Sequence, residues 1–424
     1  MSGITPVIFV LLFVFMVIGV PIGVCLSLPL LIAIAIDPFT TKEYIAQVFY
    51  SGVASFTMMS LPFFVLAGAV MDSGGLSKRL VRIANSVIGP VTGSLGIVSI
   101  LACMFFGAVS GSAPATVAAI GAIMIPEMIR AGYNKYYSVA LIATAGSLGV
   151  IVPPSYPMVI YGVTFNVSIG KLFVAGLGPA CVVAGLLMII NYFYCKKHGY
   201  RGTTKVTLSE VGASLKDGLP AVFMPVIILG GIYGGIFTAT EAAVIAVVYG
   251  ILVGVFYYKE LKFKSLMRMF HENTIFVGGT MLTLAPATAL GQILNILGVS
   301  DFVRTFFTSV TDNQYVVLLI CMAILFVAGM FIQTTPVIVI LGPILYTALK
   351  PYGMDPIHFG LFLVLALSLA FITPPVAANL FMASSMTGIS VNKLSKELIR
   401  FIIVMFIAML IIAFVPQISL FLVT

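Results

Sequence analysis

The chain has 424 residues, of which 61% are hydrophobic and 8% charged, with a formal net charge of +8. A soluble domain carries roughly 25% charged residues. This composition therefore excludes a soluble enzyme or binding module, and apolar runs of about 18 or more residues from end to end imply a polytopic, all-α membrane protein. The positive balance does not point to nucleic acid, because no basic residues interleave with aromatics on a polar surface; it reads as positive-inside topology and contact with anionic membrane lipid.

In chain order, residues 4–36 are apolar and interrupted by GVPIGV at 19–24. They form either two crossings or one long tilted helix. The run is too long for a signal-peptide core and is not preceded by basic residues, so it is expected to be retained. Residues 38–55 suit a short interfacial helix, and 57–72 a span. The apolar stretch 85–130 has small residues, SGSAPA, at its middle and basic residues on both flanks (Lys78, Arg79 and Arg82 before it, Arg130 and Lys135 after it). Two cytoplasmic flanks and an uncharged centre predict a re-entrant hairpin, tolerated only where protein or a wet cavity covers its tip.

A segment at 136–165 broken by VPPS follows, then a span at 172–195. The polar stretch 196–218 reads as a cytoplasmic linker between a first half, 1–195, and a second, 219–424. In that second half, 220–257 is interrupted by GGIFTATEAA, 258–272 reads as a basic loop, 273–297 as a span, 314–349 as a hairpin with tip QTTP, 358–386 as a broken segment, and 401–423 as a last span. On this trace all of the 21 Lys and Arg except Lys42, Lys171, Arg304 and Lys350 fall on one side.

The halves repeat each other. Gly329 answers Gly107, Pro336 answers Pro114, LAFITPPV answers LGVIVPPS, SVNKL answers SIGKL, and Gly298 with Ser300 answers Gly75 with Ser77. The expected fold is two inverted-topology repeats, each of about five transmembrane helices and one re-entrant hairpin, with the hairpins entering from opposite faces to meet near the midplane. Such duplication with broken segments is the sequence signature of a secondary transporter and its binding site.

Neither tip and neither proline-pair motif contains Asp, Glu or His. Their chemistry is neutral oxygen: hydroxyls of Ser110, Ser112, Thr116, Thr334 and Thr335, and carbonyls freed from the helix ladder around Gly149, Val152 and Pro154 and around Ala370, Thr373 and Val376. Such a set suits a hard monovalent cation, and helix N-termini at the tips favour an anion. A proton-coupled carrier would display a buried titratable group, so Na⁺ is the favoured ion. Small residues also pack membrane helices, which explains any single serine better than it explains motifs repeated in register. Glu241, the acid closest to the interior of an apolar run, has the T-x-x-E spacing of a capping box with Thr238. Asp301, Asp312 and Asp355 are expected on the outer face, as solvated residues or as part of a docking surface. The five cysteines have no C-x-x-C, and the three histidines make no metal-ligand spacing.

SLPFFVLAG, FFGAVSGSAPATVAAIG, IPEM, SLGVIVPPSYPMVIYG, GIFTATEAA and LAFITPPVAANLF, in this order over nearly the whole chain, resemble the large membrane subunit of TRAP (tripartite ATP-independent periplasmic) transporters. The resemblance implies a bacterial inner-membrane protein of elevator-type architecture that imports an organic anion, such as a C4-dicarboxylate or an acidic sugar like sialic acid, with Na⁺. It implies two partners: a small membrane subunit and a periplasmic substrate-binding protein. Carried onto this sequence, it implies a first Na⁺ site at Gly107, Ser110, Gly149, Val152 and Pro154, and a second at Gly329, Thr373 and Val376. Ala370 stands where a hydroxyl residue would be the better ligand. The substrate would lie between the tips near Ser112, Thr116, Thr334 and Thr335. The alternatives are a stand-alone Na⁺-coupled anion carrier of related architecture, a channel, and an intramembrane enzyme; the last lacks a nucleophile–base pair or metal ligands in the apolar segments.

Overall fold

The computed structural model describes residues 4–36, 41–202 and 207–423, and among these it is helical apart from turns and one isolated bridge, Thr92 to Arg201. Ten of its helices are long and apolar enough to cross a membrane.

Helices α1 (Ile4–Val17) and α2 (Ile22–Ile36) pack on each other across a turn in which Gly19 adopts φ +79. Residues 4–36 are therefore two helices: a positive-φ glycine followed by Val20 and Pro21 breaks the ladder. Helix α3 (Lys42–Val53) is short and amphipathic, burying Ile45 and Val48, with Thr41 capping its start. A tight turn at Phe56–Met59 leads into α4 (Ser60–Ser73), and α5 (Leu76–Ile88) follows.

The first hairpin is α6 (Ser94–Ser110) and α7 (Ala113–Arg130). It begins at Ser94 rather than at 85, because the chain breaks at Gly89, Pro90 and Gly93, leaving α5 a separate amphipathic helix. The broken segment is α8 (Lys135–Ala145), α9 (Leu148–Ile151) and α10 (Tyr156–Phe165), and α11 (Ile169–His198) completes the half.

The second half runs α12 (Leu208–Tyr233), α13 (Ala239–Leu252) with a π-turn at Val253–Tyr257, α14 (Phe263–Ile296) and α15 (Val299–Val310). Its hairpin is α16 (Gln314–Phe331) returning through α17 (Thr334–Pro336), a π-turn at Val337–Leu341 and α18 (Gly342–Leu349). The broken segment is α19 (Pro356–Ala370) and α20 (Ala378–Thr387); α21 (Val391–Phe414) and α22 (Gln417–Leu420) end the described chain. Two stretches read as loops are largely helical. The basic stretch 258–272 is helix from Phe263, with Arg268 paired to Glu272 one turn on at 2.9 Å. The polar connection between halves shortens to 199–207, because α11 continues to His198 and α12 starts at Leu208.

The duplication extends to the caps. Gly75 and Gly298 start α5 and α15 in the left-handed region, and Asn134 and Asp355 each accept two backbone N–H groups at the start of a broken segment. The base of the first hairpin lies at the start of the first broken segment: Tyr133 stacks on Tyr200, and the Asn134 N–H donates to the Tyr200 hydroxyl at 3.1 Å. The base of the second hairpin lies at the far end of that segment, where Phe165 meets Tyr346 and the Tyr161 hydroxyl donates to Pro356 O at 2.5 Å. The hairpins therefore enter from opposite faces.

At the first of these faces Lys135 and Arg201 adjoin the Tyr133–Tyr200 stack along the chain. Arg79 pairs with Glu260 and Asp217 and lies 3.8 Å over the Tyr258 ring, tying α5 to α12 and to the turn after α13. Burial pushes the Tyr258 hydroxyl up to about 12, against the lowering effect of Arg79, and this hydroxyl donates to Asp217 O at 2.7 Å.

Candidate functional site

Each hairpin closes on the unwound stretch of its own half. In the first, α6 ends at Gly111 in the left-handed region (φ +60), and α7 restarts after an extended Ser112 with Pro114 in its first turn. Side chains are excluded where the backbones meet. A Cβ on Gly107 would stand 2.9 Å from Gly149 Cα and 3.1 Å from Leu148 O, and one on Gly111 would stand 2.9 Å from Pro154 O. A Cβ on Gly149 would collide with Thr116 Oγ1 and lie 2.6 Å from Ser112 O. The Thr116 hydroxyl donates to Ser112 O at 2.8 Å and stands 3.2 Å from Ser110 Oγ. Val152 ends α9 with extended backbone (φ −74, ψ 128), which takes its carbonyl out of the helix ladder.

Of the sequence-derived first group, Gly107 and Gly149 meet directly, Ser110 is linked to them through Thr116, and Val152 and Pro154 follow on the same unwound stretch; all five are buried. Its donors are neutral oxygens around a cradle that a Cβ would fill, a chemistry that fits a hard monovalent cation.

The second group is built alike with different contacts. A Cβ on Gly329 would meet the Ala370 methyl at 2.7 Å, and Val376 N–H donates to Met330 O at 3.1 Å, docking the unwound stretch on the end of α16. The Thr373 hydroxyl donates to Leu369 O at 3.0 Å. Gly329 and Val376 are brought together at the end of α16, with Ala370 against Gly329; Thr373 lies on the same unwound stretch, its hydroxyl turned back onto Leu369 O.

Between the tips lies a cavity of about 180 Å³ lined by Pro114 and Tyr156 from the first half, by Gln333, Thr334, Thr335 and Val376 from the second, and by Thr280 and Thr283 of α14. A larger space beside it, between α2 and α14, shares Thr280, Thr283 and Gln333. Of the sequence-derived substrate residues, Thr334 and Thr335 line this cavity. Thr116 is turned into the first oxygen group instead, where Ser112 contributes its backbone carbonyl. Tyr156, Thr280, Thr283 and Gln333 were not among those candidates. The signal for α14 was its threonine pair at i, i+3 in an apolar run; Tyr156 follows the proline-pair motif directly and carried no signal of its own.

The acidic candidates lie elsewhere. Glu241 completes the capping box, its carboxylate accepting from Thr238 N–H at 2.8 Å. Asp301 pairs with Arg304 and Glu127 with Arg130, each within a turn, and Asp355 caps α19.

Against known proteins, the family model described as "Tripartite ATP-independent periplasmic transporter, DctM component" matches residues 9–418. The chain belongs to this family. It is 39% identical to the isethionate TRAP transporter permease protein DctMQ of Oleidesulfovibrio alaskensis, over 98% of the chain and 66% of that longer relative. It is 34% identical to the C4-dicarboxylate TRAP transporter large permease protein DctM of Pseudomonas aeruginosa, over 92% of the chain and 88% of the relative. Identity is also 34% with the sialic acid TRAP transporter large permease protein SiaM of Vibrio cholerae, over 95% of each. Among solved structures, the YdaH transporter of Alcanivorax borkumensis shares the fold, with a TM-score of 0.67 over 93% of this chain and 96% of that one at 14% identity. As a TRAP large permease with ten apolar helices long enough to span among its described residues, the chain is a multi-pass protein of the bacterial inner membrane.

Proposed function

We propose that this TRAP permease couples inward movement of Na⁺ to import of a small organic anion, without enzymatic chemistry, by an elevator-type motion. In this reading the two hairpins and broken segments move as a body against a scaffold that includes 4–36 and 220–257. The observation that carries it is the pair of neutral-oxygen groups, one per half, flanking a cavity into which the restarting helices α7 and α17 present their N-terminal ends. The oxygen groups suit Na⁺, and the N-terminal dipoles with the hydroxyls of Thr334, Thr335 and Tyr156 suit an anion. Relatives named for isethionate, a C4-dicarboxylate and sialic acid support the organic-anion class. Substrate would be delivered by a periplasmic binding protein, with a small membrane subunit as the second partner.

The test is uptake by proteoliposomes holding this chain and its small subunit, with labelled isethionate, C4-dicarboxylates and sialic acid, binding protein present or absent and an inward Na⁺ gradient on or off. Uptake that needs both is the expected result. Uptake with Na⁺ but no binding protein would instead establish a stand-alone carrier, and uptake indifferent to Na⁺ would overturn the coupling.

A further inference from the structure

The two broken segments cross at their centres, and a buried polar bridge joins them there. The Asn379 amide donates through Nδ2 to Ala143 O at 3.0 Å and to Ser147 Oγ at 3.2 Å, and the Ser147 hydroxyl donates to Ser368 O at 3.2 Å. Ser147, Ser368 and Asn379 are each 0% exposed. Their positions along the chain matter. Ser147 is two residues before Gly149 of the first oxygen group, Ser368 stands two before Ala370, and Asn379 three after Val376 of the second. The Asn379 N–H also donates to Phe371 O at 3.1 Å, so this residue straddles the unwound stretch that carries Thr373 and Val376.

Two local costs are concentrated here. Ala377, between Val376 and Asn379, is held at φ 35, ψ 54, a left-handed conformation that a side chain makes unfavourable. The Asn379 Oδ1 is buried with no hydrogen-bond donor among the described residues. Strain and an unsatisfied acceptor persist together where surrounding contacts over-determine the backbone, a pattern that marks functional stretches. A plain interhelical contact needs neither.

We infer that the Asn379–Ser147–Ser368 bridge is the positioning element that couples the two candidate Na⁺ sites, an inference that rests on the Na⁺-coupled reading above. Occupancy of one site orders its unwound stretch. The bridge carries that order to the other stretch, so that the second ion binds a backbone already set. Linkage then makes the effect reciprocal.

The experiment is equilibrium binding of radioactive Na⁺, with Na⁺-dependent thermal unfolding as a second readout, on the purified complex of this chain with its small subunit. The unaltered protein is expected to bind with a Hill coefficient near two. Ser147→Ala and Asn379→Leu are expected to bring it toward one while each site still binds, and Ser147→Thr, which keeps the hydroxyl, is expected to retain cooperativity. Where Asn379→Leu fails to fold, Ser147→Ala decides, since it removes a single oxygen. An unchanged Hill coefficient in a Na⁺-binding Ser147→Ala protein overturns the bridge and leaves the Na⁺ reading intact. Absence of Na⁺ binding by the unaltered protein overturns both.

Discussion

The first hairpin meets its broken segment glycine against glycine, Gly107 over Gly149, whereas the second sets Gly329 against the methyl of Ala370. The first gathers its side-chain oxygens on the hairpin itself, at Ser110 and Thr116; in the second the nearby hydroxyl of the unwound stretch is Thr373, where the first half has Val152 in register. Duplication has kept the backbone positions while the hydroxyls beside them differ between the halves. A carbonyl ligand needs only a broken helix and room for close approach, so glycine and proline are the constrained positions.

Substitutions test that comparison, starting with the largest effect. Gly149→Val would drive a branched side chain into Thr116 and Ser112 O, where the obstacle is partly backbone. Overpacking of this kind costs about 1–3 kcal/mol or more, so uptake is expected to fall roughly a hundredfold while membrane insertion, checked by detergent size exclusion, is kept. Gly329→Ala meets a side chain instead, and a smaller loss, about tenfold, is expected to be reversed by adding Ala370→Gly. The matching Gly107→Ala has no such rescue, because its partner is already glycine; a rescue of Gly329→Ala that failed would show the two contacts to be alike after all. Thr373→Val makes the second half match the first and is expected to raise the Na⁺ concentration for half-maximal binding several-fold without lowering maximal uptake. An unchanged Na⁺ response would mean that the second site does not use the Thr373 hydroxyl. The smallest effect is expected for Glu241→Gln: a slight fall in thermal unfolding temperature, from weakening the capping box with Thr238, and no change in Na⁺ dependence. A shifted Na⁺ response there would make Glu241 more than a cap.

The all-helical class, the two hairpins and the broken segments were legible because each has a local cause. Mean hydropathy sets the solvent, charges flank the hairpins, and proline or glycine interrupts the ladder at Pro114, Pro153, Pro154, Pro374 and Pro375. The start of the first hairpin lies at Ser94 rather than 85 because only the last turn of amphipathic α5 runs into the apolar stretch, and the break at Gly89 and Gly93 comes through φ values that composition does not display. The basic residues of 258–272 read as a loop because charge masks helix, yet Arg268 and Glu272 support one another a turn apart.

Residue type and spacing along one chain are enough to show which segments are apolar, where helices must break, and that the breaks recur in register. Packing of the helices is what turns Thr116 toward Gly149 rather than into the cavity, lines that cavity with Thr280 and Thr283, and lets Asn379 reach Ser147. Those pairings join residues far apart in the chain, and their distances follow from how helices of opposite entry pack against one another, which no periodicity within a segment encodes.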